Sequence, residues 1–370
     1  MDHQRRKFGI ARLYCGTSGT PGFYNSQEIG MAKAMVNLGY DCYIFFPDNS
    51  VREPYEKCVS ESISIVYCPA KKVGVHSRYD WRIILRKGIE VLLIETDNQL
   101  FAPDLIRFCD RNAIKVCNYV GVVKSDSDNV IKKSFMSLAY KRVLKSIKTH
   151  KTFAKTDSII VRLRGIGVDD VELMPVGLDT TIIPNIELSR AEIKQQCGLP
   201  TDRKVLLFVG RIDTYKHPEK ILVLLQRLPE YHCVIIGDGA LSDSIEKRIS
   251  ENGVQGQITW IKKLPNVDIH KYYYVADYFL NFNAQEIFGM SILEAMYQGC
   301  TVIAQRAPGP CMIIENEKSG FLVDKLDDFY YIISHNEILN RDDIRNRVVE
   351  KFSWSCSADK LHNWASSKNR

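Results

Sequence analysis

The sequence predicts an α/β protein built from two doubly wound parallel-sheet domains, and three observations predict it. Short continuous apolar runs alternate with segments of helical spacing, the pattern of strands buried on both faces and separated by helices. That alternation begins twice, near residue 8 and again near residue 204. The 370 residues exceed the roughly 100–200 of one ordinary domain, so two are expected.

Taken in order, Phe8 to Tyr14 reads as the first strand and runs into Gly16-Thr17-Ser18-Gly19-Thr20-Pro21-Gly22. Asn25 to Leu38 follows as a helix, with Ile29, Ala32, Met35 and Val36 on one face, Asn25 or Ser26 as its cap and Gly39 as its end. Cys42 to Phe46, Ile63 to Cys68 and Val91 to Ile94 are strands, Pro103 to Arg111 a helix and Ile114 to Tyr119 a strand. The second cycle runs from the strand Lys204–Gly210 through the helix Pro218–Arg227 to the strand His232–Ile236, which ends in Gly237-Asp238-Gly239. A helix Leu241–Glu251, a strand Ile258–Ile261, a helix Asp268–Ala276, a strand Tyr278–Asn281, a helix Ser291–Gln298 and a strand Thr301–Ala304 complete it. Pro184, Pro200 and the helical piece Ser189–Cys197 mark a boundary between about 180 and 203. The domains are therefore placed at 1–185 and 186–370, both Rossmann-like, with a terminal helix from Trp354 to Trp364 able to pack back on the N-terminal domain. Two such domains are expected to face each other across a cleft. Ligands in open α/β sheets bind beyond the carboxyl ends of the strands, so residues directly after strands carry the most information.

Composition narrows the class. Apolar residues make up 45% and charged residues 25%, ordinary for a globular chain and unlike disordered, collagenous or coiled-coil sequences. No apolar run approaches the ~20 residues of a membrane helix. The N-terminal Met-Asp-His-Gln-Arg-Arg-Lys has no signal-peptide core, so a cytoplasmic protein is expected. Eleven cysteines, an odd number without a Cys-x-x-Cys pair, read as reduced core residues rather than a disulfide framework or zinc site. The net charge of +6 is mild and does not by itself indicate nucleic-acid binding.

Several residues carry chemistry. Arg211 and Lys216 stand just after the first strand of the second domain, behind Gly210. Arginine offers phosphate oxygens a planar fork and lysine a point charge; the plainer alternative is a solvated loop. Glu286 and Glu294 are eight residues apart in Gln285-Glu286-Ile287-Phe288-Gly289-Met290-Ser291-Ile292-Leu293-Glu294. Gly289 permits a turn, and a helix beginning near Met290 or Ser291 offers unpaired N–H groups to an anion. Carboxylates accept from vicinal hydroxyls, which suits a sugar beside one glutamate and a ribose beside the other. Glu294 alone is equally readable as part of a solvated helix face.

Together, Gly210-Arg211 with Lys216, Gly237-Asp238-Gly239, and Glu286-Ile287-Phe288-Gly289 with Glu294-Ala295-Met296 fall in order at the ends of successive strands. With these residues the chain resembles the retaining, nucleotide-sugar-dependent glycosyltransferases of the GT-B fold, family 4, over roughly 175 to 335. Pro175-Val176-Gly177-Leu178-Asp179-Thr180, Pro308-Gly309-Pro310 and Ser319-Gly320-Phe321-Leu322-Val323 belong to the same resemblance. It implies that Arg211, Lys216 and Glu286 are the catalytic set. Arg211 and Lys216 would hold the donor diphosphate, Glu294 the ribose hydroxyls and Glu286 the donor-sugar hydroxyls. The backbone of Phe288, Gly289, Met290 and Ser291 would contact sugar and phosphate, and the loop around Gly16, Gly19 and Gly22 would lie against the phosphates. The implied donor is a nucleoside diphosphate sugar, with no metal and no other cofactor. One departure is visible. Many members of the family carry a histidine after a first-domain strand, where this chain has Val116-Cys117-Asn118-Tyr119-Val120-Gly121, so Asn118 or Tyr119 stands as its replacement.

Two further features are weighed. Asp126-Ser127-Asp128 has the Asp-x-Asp form of a metal–diphosphate motif, but a chain of this length yields about one such triplet by chance, and a helix cap is the preferred reading. From 129 to 156, eight Lys or Arg with no acid are interleaved with apolar residues, an amphipathic helical segment with a basic face. That face either contacts an anionic membrane presenting a lipid-linked acceptor or is the solvated side of a packed helix; no nucleic-acid module surrounds it. The expected function is transfer of a sugar to a glycan or lipid-linked saccharide in polysaccharide or glycoconjugate synthesis, in the cytoplasm or at the inner face of the plasma membrane. The alternatives are a related phosphorylase or hydrolase and a non-catalytic nucleotide-sugar-binding subunit of a synthesis complex.

Overall fold

The computed structural model describes residues 5–15, 27–123 and 140–367. The chain divides into two compact units, Met1–Gly177 with Trp354–Arg370, and Leu178–Ser353. The division falls at 177/178 rather than 185/186, and the chain leaves the second unit again at Ser353, so that the terminal helix belongs to the first.

The N-terminal unit is one eight-stranded sheet. Its strands are β1 (Arg6–Ala11), β2 (Tyr40–Asp48), β3 (Tyr55–Ser60), β4 (Ile63–Pro69), β7 (Val91–Glu95), β8 (Lys115–Val120), β9 (Thr152–Ala154) and β10 (Val171–Leu173), in the order β10-β9-β8-β7-β1-β2-β4-β3. A separate ribbon pairs β5 (Lys71–Val73) with β6 (His76–Arg78). The sheet is parallel except for β3, which pairs antiparallel with β4 and is exposed along its whole length. The wholly parallel expectation fails there because β3 lies at an edge and is polar (Tyr-Glu-Lys-Cys-Val-Ser), so it lacks the apolar run of a strand covered on both faces. The helices are α1 (Gln27–Asn37), α2 (Arg82–Arg86), α3 (Ala102–Arg111), α4 (140–147), α5 (Asp157–Gly165) and the terminal α14 (Trp354–Ser366). Ile10, Phe45, Leu92, Ile94, Leu105 and Ile106 are essentially removed from water, each contributing about 1.5–3 kcal/mol of transfer free energy.

The C-terminal unit has a six-stranded, all-parallel sheet of order β13-β12-β11-β14-β15-β16. These strands are β11 (Lys204–Val209), β12 (Tyr231–Ile236), β13 (Ile258–Ile261), β14 (Tyr278–Asn281), β15 (Thr301–Gln305) and β16 (Phe321–Val323). Around it lie α6 (Arg190–Gln196), α7 (Glu219–Arg227), α8 (Ser242–Glu251), α9 (Asn266–Val275), α10 (Met290–Tyr297), α11 (Pro308–Ile313), α12 (Leu326–Ser334) and α13 (Arg341–Lys351). Apolar clusters fill both faces of the sheet, Leu207, Phe279 and Val302 on one and Leu206, Ile235 and Leu280 on the other. Burial on both faces is why these strands read as unbroken apolar runs rather than alternations. Ser189 and Glu192 form a reciprocal cap on α6, a pattern their three-residue spacing announces.

The basic segment resolves in part. Residues 129–139, and Asp126-Ser127-Asp128, lie outside the described residues. On α4, Val143 and Ile147 are buried in an apolar cluster with Val120, Ile159 and Leu163, while Lys141, Arg142, Lys145 and Lys148 are exposed. Arg142 pairs with Asp104, and Lys151 with Asp170 and Glu172.

The parallel strands of the N-terminal unit end in charge. Arg12, directly after β1, has Nη1 2.7 Å from Glu28 Oε1 and Nε 3.1 Å from Glu95 Oε2. Asp97 accepts from the backbone N–H of Val122 at 3.0 Å and also of Gly121, with Lys155 Nζ 3.5 Å from its other oxygen. Burial would lower the Arg12 and Lys155 pKa values, but the surrounding carboxylates outweigh it and hold both above their ordinary range. Glu28 is pushed up to about 7, first by burial and then by Glu95, against the pull of Arg12.

Two predictions follow from packing and charge. Gly177 and Trp354 pass so closely that a Cβ at 177 would sit 2.5 Å from the Trp354 backbone nitrogen. Gly177→Ala therefore lowers stability by about 1–3 kcal/mol, an overpacking cost, measurable by urea unfolding. Because the folded Glu28 binds its proton more tightly than the unfolded chain does, its contribution to stability is complete below its ordinary value of 4.5. It falls as pH rises toward about 7 and is flat above that. Glu28→Gln removes a slope of up to about 1.4 kcal/mol per pH unit, so unfolding curves of the variant and parent converge toward low pH and separate toward pH 8, with the variant the more stable there.

Candidate active site

The C-terminal unit places its functional side chains at one topological position. From β11 the chain moves outward to β12 and β13; it returns to β14 and continues to β15 and β16 on the other side. The sheet reverses direction between β11 and β14, and the carboxyl ends of these two strands are the place where such folds bind ligands. The loop after β11 carries Gly210, Arg211 and Lys216; the loop after β14 carries Asn283 and Glu286.

Lys216 and Glu286 meet across that gap, Nζ to Oε2 at 2.5 Å, with side chains only 16% and 15% exposed. Glu286 Oε2 also accepts from Asn283 Nδ2 at 3.2 Å and Asn281 Nδ2 at 3.4 Å. Arg211 stands outside this knot. Its side chain is 73% exposed; Nε donates to the Tyr215 hydroxyl at 3.1 Å, and the guanidinium lies 5.4 Å from the Tyr215 ring. Lys216 Nζ lies 5.5 Å from the same ring, so one tyrosine is within reach of both cations. The β12 loop closes on this one, with Gly210 N donating to Ile236 O at 3.0 Å and Ile212 N to Asp238 O at 3.1 Å.

After Glu286 the chain turns sharply. Gly289 has φ +104°, a conformation that L side chains rarely adopt, and caps α10 with its carbonyl accepting from Ile292 N at 3.0 Å. Met290 and Ser291 form the first turn, whose N–H groups have no intrahelical acceptor. The turn is braced by Gly309 N donating to Glu286 O at 2.9 Å, with Phe288 packed against the same α11 segment. Glu294 lies on the inner face of α10 at 1% exposure. Its carboxylate accepts from the Tyr273 hydroxyl at 3.1 Å and Asn266 Nδ2 at 3.3 Å, both on α9.

The sequence-predicted residues thus divide. Lys216, Glu286, Gly289 and the start of α10 come together; Arg211 joins them through Tyr215; Glu294 is turned inward against α9. Gly19 lies outside the described residues. Tyr119 and Asn118, the proposed substitutes for the family histidine, are both buried, and Lys155 Nζ sits 4.7 Å from the Tyr119 ring. Sequence reasoning missed Tyr215, Asn281 and Asn283. The signal for the asparagines was present: polar residues at alternate positions from the end of an apolar strand share one side of the chain as the strand gives way to a loop. Among the described residues, no group of three or more His, Cys, Asp or Glu is arranged to hold a metal ion, and no helix is long and apolar enough to cross a membrane.

Comparison with known proteins gives a consistent picture. The family model described as glycosyl transferases group 1 matches residues 189–351. A D-inositol 3-phosphate glycosyltransferase of Corynebacterium jeikeium is 28% identical over 211 residues, covering 52% of this chain and 50% of that protein. The lipopolysaccharide core biosynthesis glycosyltransferase LpsE of Rhizobium meliloti is 25% identical over 205 residues, covering 54% and 58%. The aligned region spans about half the length of the first curated relatives it matches. In three dimensions the chain resembles sucrose-phosphate synthase of Thermosynechococcus elongatus, with a TM-score of 0.76, 16% identity, and 97% and 98% of the two chains covered. It also resembles the Anabaena protein HepE, solved with UDP, at a TM-score of 0.73, 12% identity, and 98% and 100% coverage. The doubly wound architecture, the matched segment containing the Lys216–Glu286 pair and these likenesses agree: residues 189–351 are similar to the group 1 glycosyl transferases, and the chain has the GT-B fold.

Proposed function

We propose that the protein is a retaining glycosyltransferase of family 4 that moves a sugar from a nucleoside diphosphate donor to a saccharide acceptor. The observation that carries this reading is the Lys216–Glu286 pair at the β11/β14 switch point, beside the exposed Arg211 and the start of α10. The relatives named as glycosyltransferases support it, as do the HepE structures with UDP and with UDP-glucose.

Breaking a sugar–phosphate bond leaves negative charge on the diphosphate and positive charge on the anomeric carbon. Lys216, the Arg211 fork and the first-turn N–H groups of Met290 and Ser291 would stabilise the diphosphate. Among the described residues the guanidinium is held by Tyr215 and by Asp213 at 3.6 Å, so it can reorient toward phosphate oxygens at small cost. Glu286 uses Oε2 for its three internal contacts, and Oε1 would accept a donor-sugar hydroxyl. Glu294 would reach the ribose. Retention follows if the acceptor attacks the face that the leaving group departs from, its proton passing to a donor phosphate oxygen; no protein base is then required. With three positive elements to offset the diphosphate charge, the reaction is read as metal-independent.

The relative LpsE, named for lipopolysaccharide core biosynthesis, favours a glycan or lipid-linked acceptor in glycoconjugate synthesis. The exposed cations of α4 suit contact with anionic lipid at a cytoplasmic membrane face.

A thermal-shift panel of UDP-, GDP- and ADP-sugars tests the reading: one donor raises Tm in proportion to ln(1 + [L]/Kd), and a panel without any shift counts against it. With that donor, Arg211→Ala lowers kcat by on the order of 100-fold, about 3 kcal/mol; an unchanged kcat removes Arg211 from the mechanism. Turnover that needs free phosphate and no nucleotide would favour a phosphorylase. Flotation with vesicles of anionic lipid retains the protein at low salt, and charge reversal at Lys141, Lys145 and Lys148 abolishes the retention; equal flotation of the variant excludes the α4 face.

A further inference from the structure

The loop after β11 combines a fixed backbone with one loose side chain. Gly210 N and Ile212 N donate to the end of β12 and the loop after it, and Leu241 N returns a bond to Ile212 O at 2.9 Å. A Cβ at Gly237 would lie 1.9 Å from Gly210 O, and one at Gly239 2.5 Å from Ile212 O, so the two loops pack backbone on backbone. Further on, Lys216 N donates to Asp213 O at 3.0 Å across the turn Thr214–Lys216, and the Lys216 side chain ends on Glu286. The freedom left in this loop belongs to the Arg211 side chain, whose reach toward a ligand is set by whatever holds its guanidinium.

Among the described residues that group makes one hydrogen bond, from Nε to the Tyr215 hydroxyl at 3.1 Å. Asp213 Oδ2, at 3.6 Å from Nη1, is beyond hydrogen-bond range, and the other oxygen of that carboxylate accepts from Ala240 N at 3.3 Å. A guanidinium can grip an anion bidentately by Nε with one Nη, or by its two Nη atoms. The Tyr215 hydroxyl occupies the first edge and leaves the second open. The ring of this half-buried tyrosine has a further effect. The guanidinium and the Lys216 ammonium lie 5.4 and 5.5 Å from its centroid, inside the ~6 Å reach of cation–π attraction. Two cations that repel each other are thus drawn to one ring.

We propose that Tyr215 is a positioning residue for the donor diphosphate: it pins Arg211 by Nε and keeps the Nη1–Nη2 edge, with Lys216 beside it, for the phosphate oxygens of a nucleoside diphosphate. The proposal rests on the glycosyltransferase reading of this site. Tyr215 acts through Arg211. Removing its hydroxyl leaves the loop backbone and the Lys216–Glu286 pair in place, and frees an exposed arginine whose other rotamers then compete with the productive one. Negative charge on the diphosphate grows as the sugar–phosphate bond breaks, so the loss falls on the transition state more than on the bound donor.

The experiment is a double-mutant cycle on the full chain, with sugar transfer measured from the donor found in the thermal-shift panel. Tyr215→Phe lowers kcat about tenfold while the donor KM stays within about twofold; in an Arg211→Ala background the same substitution changes kcat less than twofold, since the two residues act as a unit. An unchanged kcat in Tyr215→Phe, or equal losses in the two backgrounds, overturns the proposal, because a tyrosine that merely supports the loop costs the same with or without Arg211. Calorimetry with inorganic pyrophosphate, whose charge resembles that of the departing diphosphate, needs no turnover. Tyr215→Phe weakens its binding about threefold in the parent and leaves it unchanged in Arg211→Ala; equal weakening in both again overturns the proposal. A parent that shows this pyrophosphate pattern but transfers sugar from no donor keeps Tyr215 in its role and counts against the glycosyltransferase reading alone. A parent that neither transfers sugar nor binds pyrophosphate overturns both.

Discussion

The constraint on which the C-terminal unit depends is electrostatic: a lysine and a glutamate largely removed from water at the point where a parallel sheet reverses direction. Neither charge is tolerable alone there, because desolvation of an unpaired ion costs several kcal/mol. Paired at 2.5 Å, and with Asn281 and Asn283 adding hydrogen bonds to the same oxygen, both are held. The consequences are geometric. Fixing Glu286 fixes the chain that leaves it, and the bond from Gly309 N to Glu286 O ties that chain to α11. Gly289 then turns it into α10. The direction in which the first-turn N–H groups point is therefore set by a side-chain ion pair four residues before Met290.

The N-terminal unit obeys the same topological rule and satisfies it differently. Its switch point has one guanidinium between two carboxylates, and a second carboxylate–ammonium pair beside it. Three acids against two bases would be unstable in a buried setting if all were ionised. Burial and Glu95 instead raise the Glu28 pKa, and a proton takes the place of a missing cation. One unit thus presents surplus positive charge at its strand ends, while the other is nearly neutral and rich in hydroxyls.

The fold was readable because its strands are covered on both faces. Val205-Leu206-Leu207-Phe208 and Val91-Leu92-Leu93-Ile94 have no polar alternation to confuse them with surface strands. By the same logic β3 was invisible: Tyr55–Ser60 is exposed throughout, and only its pairing with β4 makes it a strand. The short β9 lies within the basic segment and β10 follows α5, and each carries too few apolar residues to announce itself. In the site, Arg211, Lys216 and Glu286 were legible as charges following strands in a doubly wound pattern. Their partners were not, because Asn281, Asn283 and Tyr215 are ordinary loop residues until a tertiary neighbour gives them work. Arg12 was hidden for another reason. Phe8 to Tyr14 reads as one apolar strand, and a charge inside such a run reads as an interruption rather than as the first residue beyond β1.

Glu294 shows how far spacing can carry an argument. Eight residues after Glu286 is a little over two helical turns, but the helix begins only at Met290, so the two carboxylates are not bound to share one helical face. The structure turns Glu294 toward α9, where Tyr273 and Asn266 hold it. A carboxylate has about four acceptor positions, and Tyr273 and Asn266 each occupy one of those of Glu294. The internal bonds still come first in the physical order. They fix α10 against α9 without any ligand, so the direction of its N-terminal dipole is set by the fold itself.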